Sequence, residues 1–118
     1  FFKDIGDDLK NALVAKSNIF IMPSIISKSS VEGFGIAYTE AAQYGVPSIG
    51  GKDGGASDAI EHEKTGLICD GNNLDAIYFS MNSILENKKY LEYGKNAKEF
   101  VTKFYWSNIV KKYKDILN

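Results

Sequence analysis

The chain has 118 residues, of which 44% are hydrophobic and 13% aromatic, and this is the length and composition of one folded domain rather than a disordered segment. Its 14 basic residues, all lysine, nearly balance 15 acidic residues, which excludes the strong positive charge of a nucleic-acid-binding protein. A single cysteine, Cys69, excludes a disulfide framework and a zinc site built from several cysteines.

The first half of the chain predicts helices and strands in alternation. Residues 6–16 carry apolar side chains at helical spacing behind Asp7 and Asp8. Residues 19–22 are apolar without polar alternation, which is typical of a strand buried on both faces of a parallel sheet. After the polar stretch 24–35, we predict a helix over residues 35–44 that ends at Gly45, and a second strand over residues 46–49.

The second half predicts one further strand and is otherwise mostly helical. A glycine-rich turn at residues 50–55 leads into a short helix at 57–61, a strand at 65–69 and a turn at 70–71. Asn73 is the predicted N-cap of the helix that follows. Three apolar stripes are predicted to be buried: Leu74, Ile77, Tyr78, Met81, Ile84 and Leu85; then Leu91, Ala97, Phe100, Val101 and Phe104; then Trp106, Ile109, Val110, Tyr113 and Leu117.

This alternation predicts an α/β fold, a Rossmann-like parallel sheet of about three to four strands flanked by helices. Sheets of this kind usually have about five or six strands. The first predicted helix has no strand before it, and the sequence begins Phe1-Phe2 rather than with methionine. We therefore expect a truncated sheet within a longer protein.

The carboxyl ends of the predicted strands are the expected ligand-binding edge, and they coincide with the glycine-rich stretches. Glu32-Gly33-Phe34-Gly35 precedes a helix whose first amides can bind an anion, typically phosphate; a plain flexible loop is an equally simple interpretation. A dinucleotide fingerprint would need glycine where Tyr38 stands, which disfavours a dehydrogenase.

Few side chains in the sequence indicate a catalytic, sugar-binding or metal-binding role. Glu32 and Glu40 could accept hydrogen bonds from vicinal sugar hydroxyls, although two solvated surface glutamates are the simpler interpretation of these residues alone. His62 is expected at the surface, and neither a Ser/His/Asp set nor an Asp-x-Asp metal pair can be assembled. Cys69 is expected to be a small buried residue, and Trp106 a core or helix-docking side chain.

Five motifs occur together in one order, and their set resembles a known family. They are the segments FIMPS at 20–24, EGFGIAYTEA at 32–41, GVPSI at 45–49, Gly54-Gly55 and TGLI at 65–68. The chain resembles the C-terminal, donor-binding half of family 4 retaining glycosyltransferases, which have the GT-B fold. The resemblance implies that residues 1–118 form part of the nucleotide-sugar-binding domain of such an enzyme. Within the family the chain looks most similar to phosphatidylinositol-mannoside mannosyltransferases.

The resemblance implies roles for two glutamates, which match the Glu-x7-Glu motif of the family. Glu32 would be the catalytic residue that holds hydroxyls of the donor sugar beside the reacting carbon. Glu40 would hold the ribose hydroxyls of the nucleotide. Further donor-binding positions implied by the resemblance are Gly33, Phe34, Gly35 and Ile36, with Gly54 and Gly55 as additional donor contacts.

The implied reaction transfers a sugar, such as the hexose mannose, from a UDP- or GDP-linked donor to an acceptor with retention of configuration. The resemblance implies no cofactor and no metal in the site. The partners would be the nucleotide sugar and the enzyme's own N-terminal domain, while the acceptor, a sugar or a lipid, stays open. We expect a cytoplasmic enzyme, with peripheral membrane attachment left open.

Two departures from the family pattern bear on this assignment. Ser57-Asp58 stands where the family usually has Pro-Glu, and no arginine is present to grip the diphosphate. The arginine and lysine with that role in the family lie upstream of the matched segment, as does the domain that binds the acceptor. We therefore expect the chain alone to be inactive and to bind nucleotide very weakly.

Two other functions stay open at this point. One is a nucleotide-sugar epimerase of the same fold, against which the Glu-x7-Glu motif and Phe34-Gly35 speak. The other is a non-catalytic binding module derived from the same fold.

Overall fold

The computed structural model describes residues 5–23, 36–53 and 55–117, without the side chains of residues 36, 104–109 and 112. Helix α1 (Asp7–Ala15) precedes strand β1 (Phe20–Met22), helix α2 (Ile36–Gln43), strand β2 (Ser48–Gly51), helix α3 (Ala56–Ala59) and strand β3 (Gly66–Cys69). Helix α4 (Leu74–Leu85), a 3₁₀ turn (Glu86–Lys88) and helix α5 (Lys89–Leu117) complete the described chain. The predicted α/β fold is confirmed.

The three strands form a parallel sheet in the order β1-β2-β3. Ile49 in the central strand pairs with Ile21 on one side and Leu67 on the other. Every residue of β2 is buried, as expected for a central strand without polar alternation.

The predicted bounds of β2, residues 46–49, are wrong by two positions. Gly45 adopts a left-handed conformation with φ of 73°, and the amide of Val46 donates back to the carbonyl of Ala41, so these residues end α2. Strand pairing therefore begins at Ser48. Gly50 and Gly51, expected in a turn, extend the strand instead.

Side chains alternate between the two faces of the sheet, and each face has its own hydrophobic cluster. The α2–α3 face is filled by Tyr38, Ala56, Ala59 and Ile60, against Phe20, Met22 and Ile68. The α4–α5 face is filled by Ile49, Leu67 and Ile84, against Ile19, Cys69, Met81, Tyr90 and Tyr93. The short helix α3 ends at Ala59 rather than at residue 61, because Ile60 is extended and lies in the first cluster.

The last two predicted stripes belong to one continuous helix, α5, of 29 residues. Its N-terminal half packs Ala97 and Val101 against Ala42 of α2. Tyr113 and Leu117, nearer its C-terminus, are exposed, contrary to the prediction.

The apolar faces predicted for α1 and α4 are only partly correct. No residue of α1 is buried within the described chain. In α4, Ile84 is fully buried, but Leu74 and Tyr78 are 81% and 67% exposed and Leu85 is exposed as well. Periodicity identifies the apolar side of a helix, but burial also requires a neighbouring layer, and the described residues supply none at these positions.

The N-cap of α4 is confirmed, because the Asn73 side chain accepts a hydrogen bond of 3.1 Å from the amide of Ala76. Replacing Asn73 with alanine is expected to lower the free energy of unfolding by about 1 kcal/mol, since one amide of the first turn loses its partner. Chemical denaturation measures this change. The matched control is Asn72→Ala, for which a change as large as that of Asn73→Ala would contradict the capping role.

Candidate functional site at the carboxyl edge of the sheet

The three strands end side by side at one edge, at Met22, Gly51 and Cys69. In a strand–helix–strand unit the helix runs antiparallel to the strands, so that α2 and α3 begin at this same edge. Ligands of open parallel sheets bind outside such an edge. The edge is therefore the candidate site.

Five of the residues to which the resemblance gives roles lie outside the part of the chain that the structure describes. They are Glu32, Gly33, Phe34, Gly35 and Gly54. Their roles stay predictions.

Three of the predicted site residues are described. Ile36 is the first residue of α2, which places its backbone at the candidate edge. Glu40 lies just beyond the first turn of the same helix. Gly55 is buried directly before α3, and its carbonyl accepts a 3.2 Å hydrogen bond from the amide of Asp58. Asp58, at the position where the family has glutamate, is exposed.

Glu40 is half-exposed and pairs with a lysine from a different helix. Its Oε2 lies 3.7 Å from Nζ of Lys10 in α1, and each side chain is 48% exposed. Both residues line a groove of about 150 Å³ between α1 and α2, together with Phe20 and Tyr44. The carboxylate is therefore accessible to solvent and can accept hydrogen bonds from a ligand.

A second ion pair ties the ends of β2 and β3 together. Nζ of Lys52 lies 3.6 Å from Oδ2 of Asp70, and the amide of Lys52 donates to the carbonyl of Cys69 at 2.9 Å. The other carboxylate oxygen of Asp70 accepts a 3.0 Å hydrogen bond from the amide of Asn72. Lys52 is exposed, and Asp53 beside it is half-buried.

His62 is exposed and has a structural role beside β3. Its Nδ1 accepts a 2.9 Å hydrogen bond from the amide of Ile68. The imidazole ring therefore provides the acceptor for a backbone amide of β3. Its Nε2 lies 3.8 Å from a carboxylate oxygen of Glu63. Cys69 is half-buried against the α4–α5 cluster, and the side chain of Trp106 lies outside the described residues.

Within the described ranges, no group of three or more histidine, cysteine, aspartate or glutamate side chains is arranged to hold a metal ion. Among the same residues, no helix is long and apolar enough to cross a membrane.

Sequence reasoning missed the two ion pairs and the contacts of Tyr38. The pairs join residues far apart in the sequence, and only the sheet topology reveals that Lys10 meets Glu40 and that Lys52 meets Asp70. For Tyr38 a signal was present, namely a large aromatic residue on the buried side of a helix that crosses a sheet.

Comparison with curated proteins yields similar glycosyltransferases. The chain is 34% identical over 121 aligned residues to a GDP-mannose-dependent α-(1-6)-phosphatidylinositol monomannoside mannosyltransferase of Mycobacterium tuberculosis; the match covers 99% of this chain and 31% of that protein. It is 31% identical over 103 residues to sucrose-phosphate synthase 4 of Arabidopsis thaliana, covering 86% of this chain and 9% of that protein. The chain thus spans less than a third of the length of these relatives.

Solved structures show the same fold. Sucrose-phosphate synthase of Thermosynechococcus elongatus superposes with a TM-score of 0.82 at 24% identity, over 99% of this chain and 29% of that one. The Anabaena protein Alr3699/HepE, solved in complex with UDP-glucose, superposes with a TM-score of 0.67 at 23% identity, over 77% of this chain and 24% of that one.

The family model described as "Glycosyl transferases group 1" matches residues 1–100. This match covers the sheet, the candidate edge and the first part of α5. The chain therefore belongs to the group 1 glycosyl transferases.

Proposed function

We propose that this chain is the donor-binding part of a retaining glycosyltransferase that transfers a sugar from a nucleoside-diphosphate sugar to an acceptor. The observation that carries the proposal is the solvent-accessible carboxylate of Glu40 on α2, the helix that begins at the carboxyl edge of the sheet, in a chain of this family. The activity belongs to the complete enzyme, in which residues 1–118 form part of the second domain of a GT-B fold.

Glu40 is the proposed ligand of the ribose. An ionised carboxylate has two acceptor oxygens, and the two vicinal hydroxyls of a ribose can each donate to it. Lys10 lies 3.7 Å from one of these oxygens and is half-exposed, so the pair can open to admit the hydroxyls at little cost.

The first turn of α2 is the proposed neighbour of the diphosphate. The first amides of a helix have no acceptor within the helix and lie at its positive end, so they favour a bound anion. The proposal extends to the backbone of Gly33, Phe34 and Gly35, which directly precede Ile36, and to Glu32 as the residue that holds the donor sugar beside the reacting carbon. Backbone donors of this kind stabilise charge that develops on a leaving diphosphate.

Two similar proteins support a nucleotide-sugar donor and indicate which nucleotides and sugars to test. The mycobacterial relative is named as GDP-mannose-dependent, and the Anabaena structure holds UDP-glucose. We therefore propose a GDP- or UDP-linked hexose, with mannose as the first sugar to test.

The direct test incubates the complete enzyme with a panel of nucleoside-diphosphate sugars and candidate acceptors, including phosphatidylinositol mannosides, and detects products by mass. We expect release of the nucleoside diphosphate together with a glycosylated acceptor whose anomeric configuration matches that of the donor. An epimerised nucleotide sugar without transfer would favour an epimerase. Absence of both binding and turnover for every donor would favour a non-catalytic module and contradict the proposal.

Metal removal gives a second expected result. The proposed leaving-group stabilisation uses backbone amides rather than a metal ion. Turnover by the complete enzyme is therefore expected to stay within about twofold after treatment with EDTA, an estimate based on electrostatic stabilisation by protein donors alone. Loss of activity that added magnesium or manganese restores would contradict this part of the proposal.

A further inference from the structure

Tyr38 joins the elements that carry the candidate site. It lies in the first turn of α2, two positions before Glu40, and its side chain is 1% exposed. Its hydroxyl donates a hydrogen bond to the carbonyl of Met22, the last residue of β1. One buried side chain thus connects the end of a strand to the beginning of the helix that follows it.

The ring of Tyr38 also packs against β1, β2 and α3. It meets Phe20 edge to face, with ring centroids 6.1 Å apart and an interplanar angle of 81°. It lies over Gly50 of β2, where an added Cβ would come within 3.2 Å of the ring carbon Cζ. On the same face it packs with Ala56 at the beginning of α3, directly after Gly55.

These contacts make Tyr38 the common neighbour of β1, β2, α2 and α3 at the candidate edge. The hydrogen bond from Tyr38 to Met22 joins the end of β1 to the first turn of α2. Tyr38 lies on the same helix as Glu40, and it packs with Ala56, the residue directly after Gly55.

We propose that Tyr38 is a positioning residue for the nucleotide sugar. Its hydroxyl holds α2 at the end of β1 so that Glu40 and the first turn of α2 meet the donor together. The inference rests on the proposed function and deepens it, because it assigns donor affinity to a residue that is buried beneath the site.

The test is Tyr38→Phe in the complete enzyme, which removes one oxygen atom and keeps the ring and its packing. The KM for the nucleotide sugar and the dissociation constant for the nucleoside diphosphate are expected to rise about three- to tenfold, the range for loss of one hydrogen bond. The KM for the acceptor is expected to stay constant. A purely structural role would lower the melting temperature or the active fraction and leave the donor KM unchanged.

The matched control is Tyr78→Phe, the same change at an exposed position of α4 outside the groove lined by Glu40, which is expected to leave both constants unchanged. A second variant, Phe20→Leu, removes the edge-to-face contact but keeps the Tyr38 hydroxyl, and a smaller rise in donor KM is expected. Donor constants within twofold of wild type for both Tyr38→Phe and Phe20→Leu would overturn the inference and leave the proposed function intact. A wild-type enzyme that binds no nucleotide sugar would overturn both.

Discussion

Replacing Glu40 with alanine in the complete enzyme is expected to weaken binding of the nucleotide sugar by about ten- to a hundredfold. Hydrogen bonds to a charged group contribute about 1.5–3 kcal/mol, and every 1.4 kcal/mol is a factor of ten in affinity. The loss should appear equally for the free nucleoside diphosphate, because the proposed ligand of Glu40 is the ribose that both molecules share. Isothermal titration calorimetry with each ligand measures it.

Two controls separate this loss from changes in surface charge. Glu99→Ala removes an exposed glutamate from the middle of α5 and is expected to leave affinity unchanged. Lys10→Ala breaks the ion pair with Glu40 but keeps its carboxylate, and an exposed pair is worth about 1 kcal/mol or less. If Lys10→Ala weakened binding as much as Glu40→Ala, the lysine rather than the carboxylate would be the ligand.

Glu32→Ala should give a different kinetic pattern. The proposed contacts of Glu32 are with the donor sugar at the reacting carbon, so kcat is expected to fall by about a hundredfold or more, as for loss of a group that acts mainly in the transition state. Affinity for the free nucleoside diphosphate is expected to stay close to wild type. Unchanged turnover in both glutamate variants would contradict the assignment of the Glu-x7-Glu motif.

Replacing Gly94 with alanine is expected to destabilise the fold by about 3 kcal/mol, at the upper end of typical overpacking costs. An added Cβ would lie 2.1 Å from the carbonyl oxygen of Gly45 and 3.3 Å from Cδ of Pro47, so α5 could not stay in its place against the end of α2. Alanine is better than glycine in a helix by about 1 kcal/mol, which does not offset a backbone clash. Thermal unfolding should show a melting temperature lowered by about 10 °C.

The matched control is Gly6→Ala. An added Cβ there meets nothing within 4 Å, and φ of −69° and ψ of 162° suit any residue. Because Gly6 is the N-cap of α1 and alanine is a poorer cap than glycine, its melting temperature is expected to fall by about 5 °C or less, well below the loss in Gly94→Ala. Gly94→Ala with wild-type stability would show that α5 does not approach the Gly45 turn so closely.

The sequence predicted the element order well because each element carries its own local signals. The apolar run before Pro23, Gly45 after α2, and Asn73 before α4 mark element boundaries through backbone chemistry that operates within a few residues. The bounds of β2 were harder to predict, because the pairing of Gly50 and Gly51 depends on strands distant in the sequence.

Burial and site geometry were less predictable for the same reason. Tyr78 and Ile84 belong to one apolar stripe, yet Ile84 is fully buried and Tyr78 is exposed, because only Ile84 reaches the sheet. The approach of Lys10 to Glu40 and the hydrogen bond from Tyr38 to Met22 require the packed sheet. The order of the motifs predicts candidate site residues, whose roles stay predictions, and it does not predict the contacts that hold them in place.

A crystal structure of the complete enzyme with a nucleoside diphosphate tests the central claim most directly. It should show the ribose hydroxyls about 2.5–3.0 Å from the carboxylate oxygens of Glu40, the range of an O–H···O hydrogen bond, and the diphosphate beside the first turn of α2. A nucleotide bound away from the carboxyl edge of the sheet, with Glu40 still paired only with Lys10, would contradict the claim.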